Sequence, residues 1–122
     1  MNNLTTLTIL DTTTVGTPSG NYDGSTDHFV SDPVEGVAYY LGRGSIQTVA
    51  IRVSGFEGII TIQATLGEIA EESAWFDAYT FDSASSVITE YHPEAILGNF
   101  AWVRAYVTQF NAGTIDSVTI TY

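Results

Sequence analysis

Residues 46–66 of the chain, IQTVAIRVSGFEGIITIQATL, decide its fold class because apolar and polar side chains alternate along them. In both Ile46–Val53 and Gly58–Leu66, every second side chain shares a face. The inward sets are Gln47, Val49, Ile51 and Val53, then Ile60, Ile62, Ala64 and Leu66. A period of two with one apolar face is typical of a half-buried antiparallel strand. Because Ser54-Gly55 has turn chemistry, the sequence predicts two strands joined by a turn.

The same alternation continues towards the C-terminus. Phe100–Phe110 has two largely apolar faces, so we expect a central strand, or one whose outer side a neighbouring subunit covers. One face carries Phe100, Trp102, Tyr106 and Phe110, and the other carries Ala101, Val103, Ala105 and Val107. Asn111-Ala112-Gly113 predicts a turn, and Ile115–Tyr122 predicts the last strand.

Shorter alternating segments predict the remaining strands, which are Leu4–Leu10, Val37–Leu41, Trp75–Phe81 and Val87–Tyr91. About eight short strands, spaced roughly ten residues apart, indicate an all-β antiparallel fold, either a β-sandwich or a jelly roll. The length of 122 residues fits a single domain, 1–122.

Residues 16–36 differ from the rest of the chain because they are rich in Gly, Ser, Thr, Asp and Pro. Their length predicts a long loop or arm that packs on a neighbouring subunit or on its own domain, rather than one that binds a small ligand. We expect it to contact a neighbouring chain, with Tyr22 and Phe29 as the anchors.

The charge balance limits the partners. The chain has 14 acidic residues against three arginines and no lysine, and its formal net charge is −11. This charge repels phosphate backbones and anionic headgroups, so we expect neither nucleic-acid nor membrane binding. No apolar run reaches the ~18 residues of a membrane span, and Met1–Leu10 alternates like a strand rather than a signal peptide. We therefore expect a soluble protein made in a cytoplasm.

The sequence lacks the usual patterns of catalytic and metal-binding residues. There is no cysteine, and neither His28 nor His92 lies in a nucleophile-elbow or HxxxH pattern. Carboxylate pairs such as Glu71 with Glu72, or Asp77 with Asp82, are more often solvated than catalytic. The sequence predicts no enzyme, no catalytic or metal-ligating residue and no cofactor. Ca²⁺ at Asn21–Asp27, where oxygen-bearing residues surround a glycine, is a less favoured alternative.

Aromatic residues are the main candidates for a functional surface. Tyr and Trp suit a core or a subunit interface because they bury area and keep a polar group, and the alternative is a sugar-stacking platform. Arg104 shares a strand face with Trp102 and Tyr106, where an unpaired charge would be costly. We expect Arg104 to meet Asp77 or Glu57, or to stack on a ring. The candidate interface residues are Tyr22, Phe29, Trp75, Phe76, Trp102, Arg104 and Tyr106.

Three phrases of the sequence resemble virion structural proteins of tailed bacteriophages, especially contractile-tailed phages that infect cyanobacteria. They are FEGIITIQATL at Phe56–Leu66, WFD at Trp75–Asp77 and GNFAWVRA at Gly98–Ala105. The resemblance then continues to Tyr122 and covers about half of the chain. Within these phrases we expect Gly58 to allow a turn into a strand, and Gly98-Asn99 to suit a tight hairpin entry.

The resemblance implies a small β-sandwich that is a non-enzymatic component of a phage virion and acts through subunit–subunit contacts. It would be a capsid decoration or cement protein, or a tail- or neck-associated protein, assembled into the virion in the host cytoplasm. Its partners would be other virion proteins, such as the major capsid or a tail protein, and it would form a homo-oligomer such as a trimer. The alternative function is a carbohydrate-binding or host-receptor-binding adhesin module.

Overall fold

The computed structural model describes residues 6–36, 46–66, 75–84, 86–98 and 100–122. These residues form eight strands in one antiparallel sheet. The strands are β1 (Thr6–Leu10), β2 (Thr13–Thr14), β3 (Phe29–Val30), β4 (Val34–Glu35), β5 (Ile46–Thr65), β6 (Phe76–Asp82), β7 (Ile88–Leu97) and β8 (Trp102–Thr121). The expected all-β antiparallel fold of about eight strands is confirmed, and its classification as a sandwich or jelly roll stays a prediction.

Two strands of 20 residues each, β5 and β8, form the centre of the sheet. They pair with each other along most of their length. The other edge of β8 pairs with β1, β2, β3 and β4 in turn, whereas β5 pairs with β6 and β7. The prediction of a central strand at Phe100–Phe110 is therefore confirmed from Trp102 onward, where β8 begins.

The turns predicted at Ser54-Gly55 and Asn111-Ala112-Gly113 are wrong, because both segments are irregularities inside continuous strands. Gly55 and Gly113 have φ values of +59° and +82°, so each bends its strand without ending the pairing. The irregularity at Ser54-Gly55 adds one residue to β5, so the inward positions change from odd to even residue numbers. Phe56 therefore follows Val53 in the core. Gly58 likewise lies buried inside β5 rather than at a turn.

The bend brings the two ends of β8 close together. A straight strand of 20 residues would span roughly 65 Å. Here the hydroxyl of Tyr122, just after β8, donates a 2.8 Å hydrogen bond to the carbonyl of Glu35. Glu35 itself pairs with Trp102, the first residue of β8. The sheet therefore folds back on itself and encloses its apolar face.

Aromatic side chains fill the inside of the bend. The rings of Phe56 and Phe110 lie 5.7 Å apart, and the Phe110 ring lies 5.4 Å from Tyr22 and 6.0 Å from Phe29. Apolar residues from both halves of the sheet join them in one buried cluster. The cluster includes Val49, Ile51, Ile60, Ile62, Val103, Val107, Ile115, Val118 and Ile120.

Residues 16–36 pack on their own domain, and the proposed anchoring of Tyr22 and Phe29 in a neighbouring chain is wrong. Both side chains are buried in the core of this chain. The backbone is fixed as well, since β3 and β4 pair with β8 and the Phe110 amide donates to the Asp27 carbonyl. The concave side of the bend supplies the apolar surface that these two rings need.

Burial follows the predicted faces of β5. Ile60 and Ile62 are fully buried, as expected, and so are Phe56, Val118 and Ile120. The prediction that Leu66 lies inward is wrong, since it is 67% exposed just after the end of β5 at Thr65. The predicted face of Phe100, Trp102, Tyr106 and Phe110 is wrong as well. Phe100 and Phe110 are buried, whereas Trp102 and Tyr106 lie on the outer face, because β8 begins only at Trp102 and Gln109 has a φ of +52°. The predicted strand Val37–Leu41, the pair Glu71 and Glu72, and Asn99 lie outside the described residues.

Replacing Gly113 by alanine should destabilise the fold more than the same change at Gly16. A Cβ at Gly113 would lie 2.1 Å from the Gly55 carbonyl oxygen, whereas at Gly16, with a similar φ of +85°, it would meet nothing within 4 Å. We expect Gly16→Ala to cost about 1–2 kcal/mol and Gly113→Ala about 1–3 kcal/mol more. Urea unfolding of both variants measures the difference, and equal losses would contradict the close approach at the bend.

Ile62→Ala should cost about 2–5 kcal/mol because it leaves a cavity in the core. Leu66→Ala, four residues along the chain and exposed, should change the free energy of unfolding by less than about 0.5 kcal/mol. Chemical denaturation of the two variants provides the comparison. Similar losses at both positions would mean that the inward set of β5 is assigned wrongly.

Candidate functional site

Residues from all three virion-like phrases meet on one outer face of the sheet. The Nε of Arg104 donates to Gln63 Oε1 at 2.8 Å, and Gln63 Nε2 donates to Asp77 Oδ1 at 3.1 Å. The guanidinium of Arg104 lies 4.2 Å from the centre of the Trp75 ring. We call Gln63, Trp75, Asp77 and Arg104 the arginine–tryptophan cluster.

Strand register brings the cluster together. Gln63 of β5 pairs with Asp77 of β6 on one side and with Arg104 of β8 on the other. The three side chains therefore form a row across adjacent strands, within hydrogen-bonding reach of one another. The expectation that Arg104 stacks on an aromatic ring is confirmed, and it reaches Asp77 through Gln63. Stacking of an arginine on an aromatic ring contributes about 0.5–2 kcal/mol, depending on how far the guanidinium and the ring are desolvated.

The outer face around the cluster holds further predicted interface residues. Trp102, Arg104 and Tyr106 occupy alternate positions of β8, and Tyr106 is 37% exposed. Val30, Gln63, Arg104 and Tyr106 line a shallow groove of about 280 Å³. Phe76 lies elsewhere, since it pairs with the inward Ala64 and its ring packs edge-on against Phe100 at 5.8 Å. The structure thus groups Trp75, Trp102, Arg104 and Tyr106, and separates them from Phe76, Tyr22 and Phe29.

A second polar cluster, missed in the sequence, surrounds His92 on β7. Its Nε2 lies 2.7 Å from the Tyr79 hydroxyl and 3.2 Å from Glu94 Oε1, and its Nδ1 lies 3.1 Å from Glu90 Oε2. Glu90, His92 and Glu94 alternate along β7, so they share a face. His92 also lies 5.5 Å from the Phe81 ring, and so joins the edge strands β6 and β7. The alternating acids around His92 were the available signal.

The His92 cluster is suited to holding two strands together. A neutral imidazole has one N–H, so it can donate to only one of the two carboxylates, whereas an imidazolium can donate to both. Burial, Glu94 and Glu90 raise the pKa of Tyr79, which keeps its hydroxyl protonated. Charged side chains that point inward on an edge strand also oppose pairing with a further strand.

The carboxylates beside His92 bind opposite nitrogens of the ring and do not converge on one point. In the part of the chain that the structure describes, no three His, Asp or Glu residues are arranged to hold a metal ion. The loop considered for Ca²⁺ is closed by its own donors. The Ser25 and Thr26 amides donate to Asp23 Oδ1 and lower the pKa of Asp23, and Asn21 donates to the Val30 carbonyl.

Comparisons with known proteins add no family. No protein-family model matches the chain, and no curated protein matches it significantly. No helix among the residues that the structure describes is long and apolar enough to cross a membrane.

Tyr79→Phe should change how stability depends on alkaline pH. Because the folded state raises the pKa of Tyr79 above 10, its stabilising effect is present below pH ~10 and is lost as the pH rises through the folded pKa. The variant should be about 0.5–1.5 kcal/mol less stable at neutral pH, since it loses the bond to His92. Above pH ~10 the difference in free energy of unfolding between Tyr79→Phe and the wild type should become smaller.

Denaturant midpoints measured between pH 7 and 11 check this expectation. Tyr91→Phe, which removes an exposed hydroxyl, is the matched control and should leave both the midpoint and its pH dependence unchanged. A gap for Tyr79→Phe that stays constant up to pH 11 would contradict the raised pKa.

Proposed function

We propose that this chain is a non-enzymatic structural component of a phage virion, a capsid decoration or cement protein or a tail-associated protein, that acts through subunit contacts. One observation carries the proposal. The three phrases that resemble virion proteins lie far apart in sequence, yet their polar side chains Gln63, Asp77 and Arg104 form one hydrogen-bonded row on an outer face. A resemblance that converges on one surface favours a shared surface role.

The composition of this face supports a protein partner. Trp, Tyr and Arg are the residue types enriched at the energetic centres of protein interfaces. The guanidinium of Arg104 lies over the Trp75 ring and donates to Gln63, so the side chain loses less conformational freedom on docking than a free arginine would. Tyr106 projects beside it and offers an exposed ring.

The charge of the chain supports the same class of partner. Arg104 gives this face a fixed positive group in a chain whose formal charge is −11. A partner protein with an acidic or neutral patch can approach here, while the acidic surroundings oppose polyanions such as nucleic acids. Other virion proteins fit this chemistry as partners, and so do further copies of this chain in a homo-oligomer.

A carbohydrate-binding or receptor-binding module is the second candidate, and the groove beside Tyr106 is what favours it. An exposed aromatic ring next to planar polar side chains, here Gln63 and Arg104, can stack on a sugar and bind its hydroxyls. Trp75 fits this role less well, because Arg104 lies over its ring.

Tyr106→Ala should weaken binding to tailed-phage particles assembled without this chain by tenfold or more, which equals about 1.4 kcal/mol. Loss of an exposed ring near the centre of an interface is the physical reason. His28→Ala, which removes an exposed ring that does not line the groove beside Tyr106, is the control and should bind like the wild type. Co-sedimentation of purified chain with particles measures the affinities.

The same proteins should be tested on a glycan array. Absence of wild-type binding to particles, together with glycan binding that Tyr106→Ala abolishes, would replace the virion role by the adhesin role.

A further inference from the structure

The second outer face of the sheet is nearly free of charge. It belongs to β1, β7 and the adjoining halves of β5 and β8, and we call it the threonine face. Its outward residues include Thr6, Thr8, Thr114, Ser117, Thr119, Thr121, Ile46, Thr48, Ala50, Arg52, Ser54, Val87, Thr89, Tyr91, Pro93, Ala95 and Leu97, with Asp116 between Ile115 and Ser117. Arg52 and Asp116 are its charged members, and Glu90 lies at its rim.

This absence of charge contrasts with the rest of the surface. The chain has 14 acidic residues, and apart from Asp116 and Glu90 at the rim, the acidic residues described belong to other strand faces or to loops. They are Asp11, Asp23, Asp27, Asp32, Glu35, Glu57, Asp77, Asp82 and Glu94. Small uncharged side chains are not required by an exposed sheet, because Glu and Lys are tolerated on solvent faces. The segregation therefore points to a contact that excludes like charge.

The threonine face also exposes apolar area. Among the exposed large hydrophobic residues, Ile46, Tyr91, Val87 and Leu97 lie on it, with exposures of 57%, 59%, 62% and 72%. Ile46 and Leu97 pair across β5 and β7, so they form one apolar patch. Threonine hydroxyls of β1 and β8 already bond to each other, as Thr6 and Thr121 do at 3.0 Å, which lowers the cost of removing water.

We propose that a second copy of this chain docks on the threonine face, sheet against sheet about a two-fold axis. Two copies with a formal charge of −11 each repel one another, and this face is where they can meet with the least like charge in contact. A basic partner would instead be drawn to the acidic surfaces. The number of outward residues on the threonine face approaches the roughly 20–30 residues that each partner contributes to a standard interface.

Two charged residues fit the two-fold arrangement. Arg52 pairs with Ser117 in the sheet, and Arg52 and Asp116 line the same groove of this face. Arg52 also lies over the Tyr91 ring at 4.5 Å, and Asp116 accepts from the Ser54 hydroxyl at 2.6 Å. A two-fold axis between them places Arg52 of each copy opposite Asp116 of the other. Such a contact makes pairs rather than trimers.

This inference deepens the proposed virion role by naming the surface through which copies associate, but its test needs only the purified chain. Sedimentation equilibrium should show a monomer–dimer equilibrium at micromolar concentrations. Dimerisation should strengthen from low to moderate salt, because salt screens the repulsion over the Debye length of ~10 Å at 0.1 M.

Thr119→Glu should weaken dimerisation at least tenfold, because each copy would bury a new carboxylate in the contact between two acidic chains. Thr61→Glu is the matched control, since Thr61 is a half-buried outer-face threonine of β5 on the other half of the sheet, and it should change the dimer constant by less than threefold. Leu97→Ser, at an exposed edge position, weakens the dimer without placing a charge within the sheet. Circular dichroism verifies that each variant is folded.

Charge exchange tests the symmetry. Arg52→Glu and Asp116→Arg should each weaken the dimer, and the double variant should recover most of the loss. A wild type that remains monomeric to high micromolar concentration, or a dimer weakened by Thr61→Glu but not by Thr119→Glu and Leu97→Ser, would overturn the inference. A dimer with the expected variant pattern that does not bind phage particles would leave the threonine face assigned and refute the virion role.

Discussion

The bend in the paired strands β5 and β8 creates the enclosed core of the molecule. Two strands of 20 residues, paired along most of their length, would otherwise form a ribbon with an apolar face open to water. At the bend the backbones of Gly55 and Gly113 come closer than any side chain allows. Pairing resumes on both sides, and Phe56 and Phe110 fill the space inside.

The sequence predicted the inward side chains of β5 except Leu66, because alternation is a local property that a strand shows on its own. It did not predict that the strands continue through Ser54-Gly55 and Asn111–Gly113. Glycine and serine favour a tight turn and a bulge alike, and only the partner strand, far away in sequence, decides between them. The burial of Tyr22 and Phe29 depends on the same long-range event, since the bend creates the surface that receives them.

Part of the candidate site could likewise be predicted from the sequence, and part could not. The stacking of Arg104 followed from the cost of leaving a charge unpaired, and the alternation of β8 placed Trp102 and Tyr106 beside it. Pro93 directly follows His92 and would favour a turn there, but β7 continues through the proline. An edge strand tolerates a proline, since the missing N–H can face away from the sheet. The contact between Tyr79 and His92 therefore became visible only in three dimensions.

Both outer faces, although they differ in charge, are formed largely by the same pair of strands, β5 and β8. Because the bend turns the apolar faces of the two halves of β5 and β8 towards each other, the outer face with Arg104 and the outer face with Arg52 lie on opposite sides of the molecule. The same geometry fixes the order in which the chain can fold as a ribosome makes it. Among the residues that the structure describes, strands β1 to β4 pair only with β8, the last of the eight strands to be synthesised, and Thr6 pairs with Thr121. Until then Tyr22 and Phe29 have no core to enter, so folding is delayed until translation of the domain is nearly complete.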